Sequence, residues 1–357
     1  MPVNLSLIPA TSNPALEAEL RDRLARLTNV YGHLGELESL ALRLGLLQNT
    51  LTPNFQSPRL LLFAADHGLV VEGVRTIQTQ PTAQLVRSVL RSQVPVEVFA
   101  RSHGMELTMV DCGVAEPVAP DSRLIARKIA HGTRNARVHA AMSVDQAEAA
   151  IRAGMEIANA LAGNAVACAG VGVGSHESAA LVISRLTGEP VLKFLLRTVQ
   201  PDDGALPSLM AVMRSIQHRH RGVNDPVEVL AAMGGFEIAM MAGVMLAAGS
   251  KRHLILVDGL PACAALMVAA HIAPAISDYC VFCRSTGHLG VDQALRLFKA
   301  SALLELGLDC TDGTGAALAF PLVNCAAALL GEVDVDKDSP AAVPQGPQPT
   351  STGDSTL

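Results

Sequence analysis

Residues 13–47 carry leucines at Leu16, Leu20, Leu24, Leu27, Leu34, Leu37, Leu40 and Leu44. Spacings of three, four and seven place these on one face of a helix. Gly32 and Gly35 interrupt the run, so it predicts two helices joined by a turn. Residues 52–58 read as a polar loop. Beyond it, four apolar runs end in polar or glycine residues. Leu60–Ala65 leads into Asp66-His67-Gly68, and Leu107–Val110 into Asp111-Cys112-Gly113. Val166–Ala169 leads into Gly170-Val171-Gly172-Val173-Gly174, and Leu254–Val257 into Asp258-Gly259. None of the four alternates cleanly, as expected of strands buried on both faces. Helical patterns over Thr82–His103, Ser143–Ala162 and Asp225–Ala248 separate them. Alternating strands and helices predict a parallel sheet with helices on both faces. In such sheets the ligand lies beyond the carboxyl ends of the strands, where all four strand-end motifs point.

Composition narrows this picture. The 357 residues suggest one large and one smaller domain, at about 150 residues per domain. Half the residues are hydrophobic, only 3% are aromatic and Trp is absent, so Ala, Leu, Val, Ile and Met must build the core. Lys+Arg minus Asp+Glu is 27 − 33 = −6, which argues against nucleic acid as a partner. The aromatic shortage also removes most stacking platforms for single strands. The first residues show no basic, then apolar, secretory pattern. Two uncharged stretches, Gly259–Ser277 and Gly313–Gly331, have membrane-spanning length. Their prolines and their Ala and Gly content make them buried strand and helix segments on this reading, with no membrane partner. Seven scattered cysteines argue against a disulfide framework and for a reducing cytoplasm. Cys280-Val-Phe-Cys283 reads as buried thiols on a strand, with redox or metal work as the alternative.

Each motif has a bland reading beside a functional one. Asp66, at a strand end, can accept backbone N–H groups or touch a ligand. The Gly170–Gly174 loop, ahead of a helix, can hold phosphate on its N–H groups or serve as a packing turn. Glu189 lies 17 residues past Gly172, near where a dinucleotide site would keep its ribose-binding acid. Asp312, in Thr311-Asp312-Gly313-Thr314, can cap a helix or act as a general base. Pro201-Asp202-Asp203-Gly204 lacks the preceding strand and following turn of a phosphoribosyl-pyrophosphate loop.

Taken in order, these segments resemble the nicotinate-nucleotide–dimethylbenzimidazole phosphoribosyltransferase family of cobalamin lower-ligand synthesis. The resemblance rests on Ala64-Ala-Asp-His-Gly-Leu-Val-Val-Glu-Gly-Val74, Pro81-Thr-Ala-Gln-Leu-Val86 and Val110-Asp-Cys-Gly-Val114. It continues through Ile129-Ala-His-Gly-Thr-Arg-Asn135, Gly234-Gly-Phe-Glu-Ile238 and Gly313-Thr-Gly-Ala-Ala-Leu-Ala-Phe-Pro321, and covers roughly residues 20–332. It implies an α/β fold with a mainly parallel, Rossmann-like sheet plus a small helical domain. Residues 1–50 would supply the helical segment and 51–335 the catalytic domain, with a helical excursion near 190–225. Composition predicts a disordered tail over 336–357.

The implied reaction moves the 5-phosphoribosyl group of nicotinate mononucleotide to a benzimidazole-like base. The leaving group is already a pyridinium, so the reading assigns neither metal nor cofactor. The matching positions make Asp312 the base. They put substrate and phosphate at Gly170, Gly172, Gly174, Ser175, Gln84, Asp66, Arg197, Asp258 and Gly313. A homodimer follows from the resemblance, with a heteromer containing a complete paralogue as the alternative. Four departures stand out, one being that Phe282-Cys283-Arg284-Ser285-Thr286-Gly287-His288-Leu289-Gly290 lacks the acid of the family's Ser-His-Arg-Ser-Ala-Glu-x-Gly string. Where the family has glutamate, Asp312 is one methylene shorter. The glycine loop lacks the family's acid and carries Ser175-His176-Glu177 in place of Asn-Thr-Thr. Residues 196–209 lack the family's glycines and lysine, with Arg197 as the candidate replacement cation. These losses cluster at the ligand end, so two readings compete: an active transferase, or a non-catalytic paralogue that binds ligand or a partner subunit. A nicotinamide-dependent oxidoreductase built on the glycine loop and Glu189 is a distant third.

Overall fold

A computed structural model describes residues 8–73, 80–195, 205–285, 289–310, 312–331 and 333. The chain begins with two helices, α1 (Pro14–Tyr31) and α2 (Glu36–Gln48). Asn13 caps α1 by accepting from Leu16 N. Strand β1 (Arg59–Ala65) follows, then α3 (Thr82–Leu90), α4 (Pro95–Ser102), β2 (Glu106–Gly113) and β3 (Leu124–Ala126). Next come α5 (Val144–Ala160), β4 (Ala165–Val171), α6 (Ser175–Thr187), α7 (Leu192–Leu195) and α8 (Ala205–Arg219). The last part holds α9 (Pro226–Met233), α10 (Phe236–Ser250), β5 (Leu254–Val257) and α11 (Leu260–Ile272). It ends with β6 (Cys280–Phe282), α12 (Leu289–Leu297) and α13 (Thr314–Gly331).

Among the described residues, six strands form one sheet, order β3-β2-β1-β4-β5-β6, every pair parallel. All four predicted strands are present, and β1 and β4 are buried along nearly their whole length. β3, too short to show in the pattern, adds an outer strand beside β2. The cysteine pair at 280 and 283 brackets β6 at the opposite edge, both thiols buried. Strand order reverses between β1 and β4, since successive strands run outward from each. That switch point opens a crevice at the carboxyl ends of these two strands.

Alternate residues of β4 face opposite layers. On one side Gly170 meets Pro261 of α11 and Met241 of α10. On the other, Ala169 with Leu60 and Leu62 faces Gly313, at the start of α13. α10 lies across β1, β2, β4 and β5, with α5 packed on it, while α13 packs on β5, α4 and α2. Small residues bring these layers close. A Cβ on Gly243 of α10 would lie 2.0 Å from the Ile151 carbonyl oxygen of α5.

Several elements differ from the sequence pattern. Thr82–His103 is two helices, because Pro95 disfavours helical geometry at Val94 before it and Ser92 turns to positive φ. Asp225–Ala248 is likewise two, parted at Gly234-Gly235, with Asp225 capping α9 through Val227 N and Glu228 N. The uncharged stretches contain no strand: Gly259–Ser277 is α11 and a 3-10 turn, and Gly313–Gly331 is α13 with the residue before it. α13 is long and apolar enough to cross a bilayer, yet it buries Phe320, Val323 and Leu330 inside the protein. The 190–225 region contains α7 and α8. Arg197, the Pro201–Gly204 turn and the 336–357 tail lie outside the described residues.

Candidate functional site

Asp66 follows β1 and ties three loops together. Its Oδ1 accepts Thr82 Oγ1 at 2.6 Å and its Oδ2 accepts Ala115 N at 2.7 Å. Thr82 Oγ1 in turn accepts Val173 N at 3.1 Å. The loops after β1, β2 and β4 and the start of α3 are thereby one frame, and both Asp66 oxygens are used by protein donors. Gln84 stands exposed in the first turn of α3.

The glycine loop spans the β4–α6 junction, as the pattern predicts. A Cβ on Gly172 would lie 1.9 Å from the Ala65 carbonyl oxygen, so only glycine lets the loop cross the end of β1. Gly174 precedes the first residue of α6 and abuts His67. Ser175 Oγ donates to Glu237 Oε1 at 2.8 Å, and His67 Nε2 bonds the same oxygen at 2.9 Å. Neither His67 nor Glu237 exposes any side-chain surface. Burial disfavours charge on the His67 ring. The charge and hydrogen bond of Glu237, with smaller help from Asp66 and Glu177, outweigh it and raise the His67 pKa above 6.5. The break before α10 makes this pair possible, since a Cβ on Gly235 would lie 2.4 Å from His67 Cε1.

A second cluster lies past β5 and β6. Arg284 Nε donates to Asp258 Oδ1 at 2.6 Å, and Nη2 donates to Asp312 Oδ1 at 2.5 Å. Asp258 Oδ2 accepts Gly313 N at 2.6 Å and Ala316 N at 3.2 Å. The carboxylate that receives these amides at the start of α13 is therefore Asp258, from a neighbouring strand, and the capping expected of Asp312 falls to it. Asp258 and Arg284 expose 0% and 3% of their side chains, and Asp312 exposes 7%, so Asp312 is the cluster's outermost member. A Cβ on Gly259 would lie 2.3 Å from the Asp312 carboxyl carbon, so the acid rests against bare backbone. Burial opposes charge on Arg284, but its two carboxylates raise its pKa and keep it cationic.

A phosphoribosyltransferase family profile matches residues 10–339. The chain is 42% identical over 322 residues to the nicotinate-nucleotide–dimethylbenzimidazole phosphoribosyltransferase of Cupriavidus necator, covering 89% of this chain and 93% of that protein. This chain belongs to that phosphoribosyltransferase family. The Dechloromonas aromatica member is 40% identical, with the same coverage. The crystal structure of CobT from Thermus thermophilus superposes with a TM-score of 0.83 at 31% identity, across 89% of this chain and 96% of that one.

Among the matched positions, Asp312, Asp258 and Gly313 converge in one cluster. Gly172, Gly174, Ser175 and Asp66 converge in the other, and Gly170 lies inside β4 facing α11. Four residues central to these clusters went unassigned in the sequence: His67, Thr82, Glu237 and Arg284. Glu237 left a readable trace as the lone charge in the otherwise apolar helix Phe236–Ser250. Arg284 left a similar one, directly after a buried strand. Glu189 sits past the far end of α6, about 20 Å along a 13-residue helix, and pairs with Lys193. That position removes the ribose contact on which the oxidoreductase reading depended.

Proposed function

We infer that this phosphoribosyltransferase moves the 5-phosphoribosyl group of nicotinate mononucleotide to a ring nitrogen of a benzimidazole-type base. The bond from the ribose anomeric carbon to the pyridinium nitrogen breaks, and its electron pair leaves with nicotinate. A bond from the same carbon to the azole nitrogen forms, and the azole proton passes to a carboxylate. Asp312 is that base on this reading. The observation that carries it is near full-length family membership combined with a carboxylate retained in the Asp312–Gly313–Thr314 turn. Its outermost place in the buried cluster supports the same role. The Gly172–Ser175 loop receives the phosphate, with exposed Gln84 and Arg197 as candidate contacts and Asp66 holding the surrounding loops in place. The N-terminal helices form the small domain, and the molecule works as a cytoplasmic homodimer.

Incubation with nicotinate mononucleotide and a panel of benzimidazoles, following nicotinate release, tests the reading. Turnover is expected with at least one base, and Asp312→Asn should lower kcat by about 10²–10⁴-fold. No nicotinate from any base, or an Asp312→Asn protein as fast as wild type, would overturn it.

A further inference from the structure

The general base does not stand alone. Arg284 spans two carboxylates, Nε on Asp258 and Nη2 on Asp312, at 2.6 and 2.5 Å. Its Nη1 and Nη2 also reach the Cys310 carbonyl oxygen at 3.4 Å, and Nη1 reaches that of Leu308 at 3.4 Å. The planar guanidinium is thus fixed in orientation as well as place. Asp258 anchors it, because its second oxygen holds the first-turn amides of α13. A chain of contacts therefore runs from the β5 end through Arg284 to Asp312.

Several described groups surround Asp312. Asp258 faces it from the end of β5 and Arg284 from the end of β6. Cys263 lies near on α11, Cys283 after β6 and Cys310 in the loop before α13. Burial first, then the neighbouring acids, push the Cys263 and Cys283 thiols far up, so both stay neutral. Arg284 is the cation facing Asp312 among these groups. A guanidinium beside a carboxylate favours its charged form, typically by about 1–3 pKa units.

We propose that Arg284 is a positioning residue for phosphoribosyl transfer: anchored on Asp258, it aims the Asp312 carboxylate and holds it ionised to receive the azole proton. This rests on the reading of Asp312 as base. It also fits a shorter acid at that position, since the guanidinium, itself fixed on Asp258, holds the one-methylene arm through a short hydrogen bond to Asp312 Oδ1.

The test compares wild type, Arg284→Gln and Arg284→Lys by kcat, KM for both substrates and the pH profile of kcat, with circular dichroism melts as a check on folding. Arg284→Gln should lose about 10²-fold in kcat with KM little changed. Its acidic limb should move up by about 1–3 pH units, because the carboxylate loses its cation. Arg284→Lys keeps the charge and loses the fork, so its kcat should fall while its acidic limb stays near wild type. If Arg284→Gln does not fold, the Arg284→Lys kcat decides. An unmoved acidic limb in Arg284→Gln, or full kcat in Arg284→Lys, would overturn the proposal while the activity stands. A wild-type protein that releases no nicotinate would overturn the activity and this proposal with it.

Discussion

At the scale of single residues, two groups of interacting charges carry a pH signature, one buried at His67 and one nearer the surface at Glu72. His67 is the clearer case. Its pKa is raised on folding, so the Glu237 contact contributes fully below the ordinary histidine value of about 6.5. That contribution is lost as pH rises through the higher folded value. Thermal melts should show wild-type stability declining above pH 6.5, with His67→Gln much flatter across the same range. Parallel curves for the two proteins would show that the pair does not titrate as described. At low pH a separate loss is expected from Glu72, whose pKa is lowered chiefly by the Asn135 and Arg137 hydrogen bonds. Its contribution is present above about 4.5 and fades as pH falls through the lowered value.

Elements meet closely because the core is built from small side chains. The α5–α10 contact depends on this, with the Gly243 Cα against the Ile151 carbonyl. An added methyl at 2.0 Å has backbone in front of it and cannot be relieved by a rotamer change. Gly243→Ala should destabilise by about 1–3 kcal/mol or more, read from urea unfolding midpoints. Because the same helix carries Glu237, which holds Ser175 and His67, nicotinate release should fall as well. An unchanged midpoint would mean that the helices are not packed at this distance. The same closeness explains the break at Gly234-Gly235: it lets α10 start where Glu237 can reach both His67 and Ser175.

For the whole molecule, one hydrophobic cluster runs from the N-terminal helices through the sheet to α13. Leu20, Leu24 and Leu27 of α1 and Leu40, Leu44 and Leu47 of α2 belong to it, alongside Leu60–Ala65 of β1. Helical segment and sheet therefore share a core. Leu44 is fully buried, so Leu44→Ala should cost about 2–5 kcal/mol. The loss should appear as a shift of a single cooperative transition followed by far-ultraviolet circular dichroism. Two resolved transitions would mean that the helices unfold separately from the sheet.

Sequence alone determined the architecture. Leu60–Ala65 and Val166–Ala169 are short apolar runs bounded by turn residues, as strands buried on both faces are, and alternation with helices makes a parallel sheet the arrangement that buries them. It also placed Asp66, the Gly170–Gly174 loop and Asp258 at the ligand end, because strand ends are local features. Tertiary structure decided which charges meet. Arg284 lies 26 residues from Asp258 and 28 from Asp312, and His67 lies 170 from Glu237. No local pattern encodes those pairings. They form because a buried charge must find a partner, and only the folded sheet, with β1 beside β4 and β5 beside β6, brings the partners within reach.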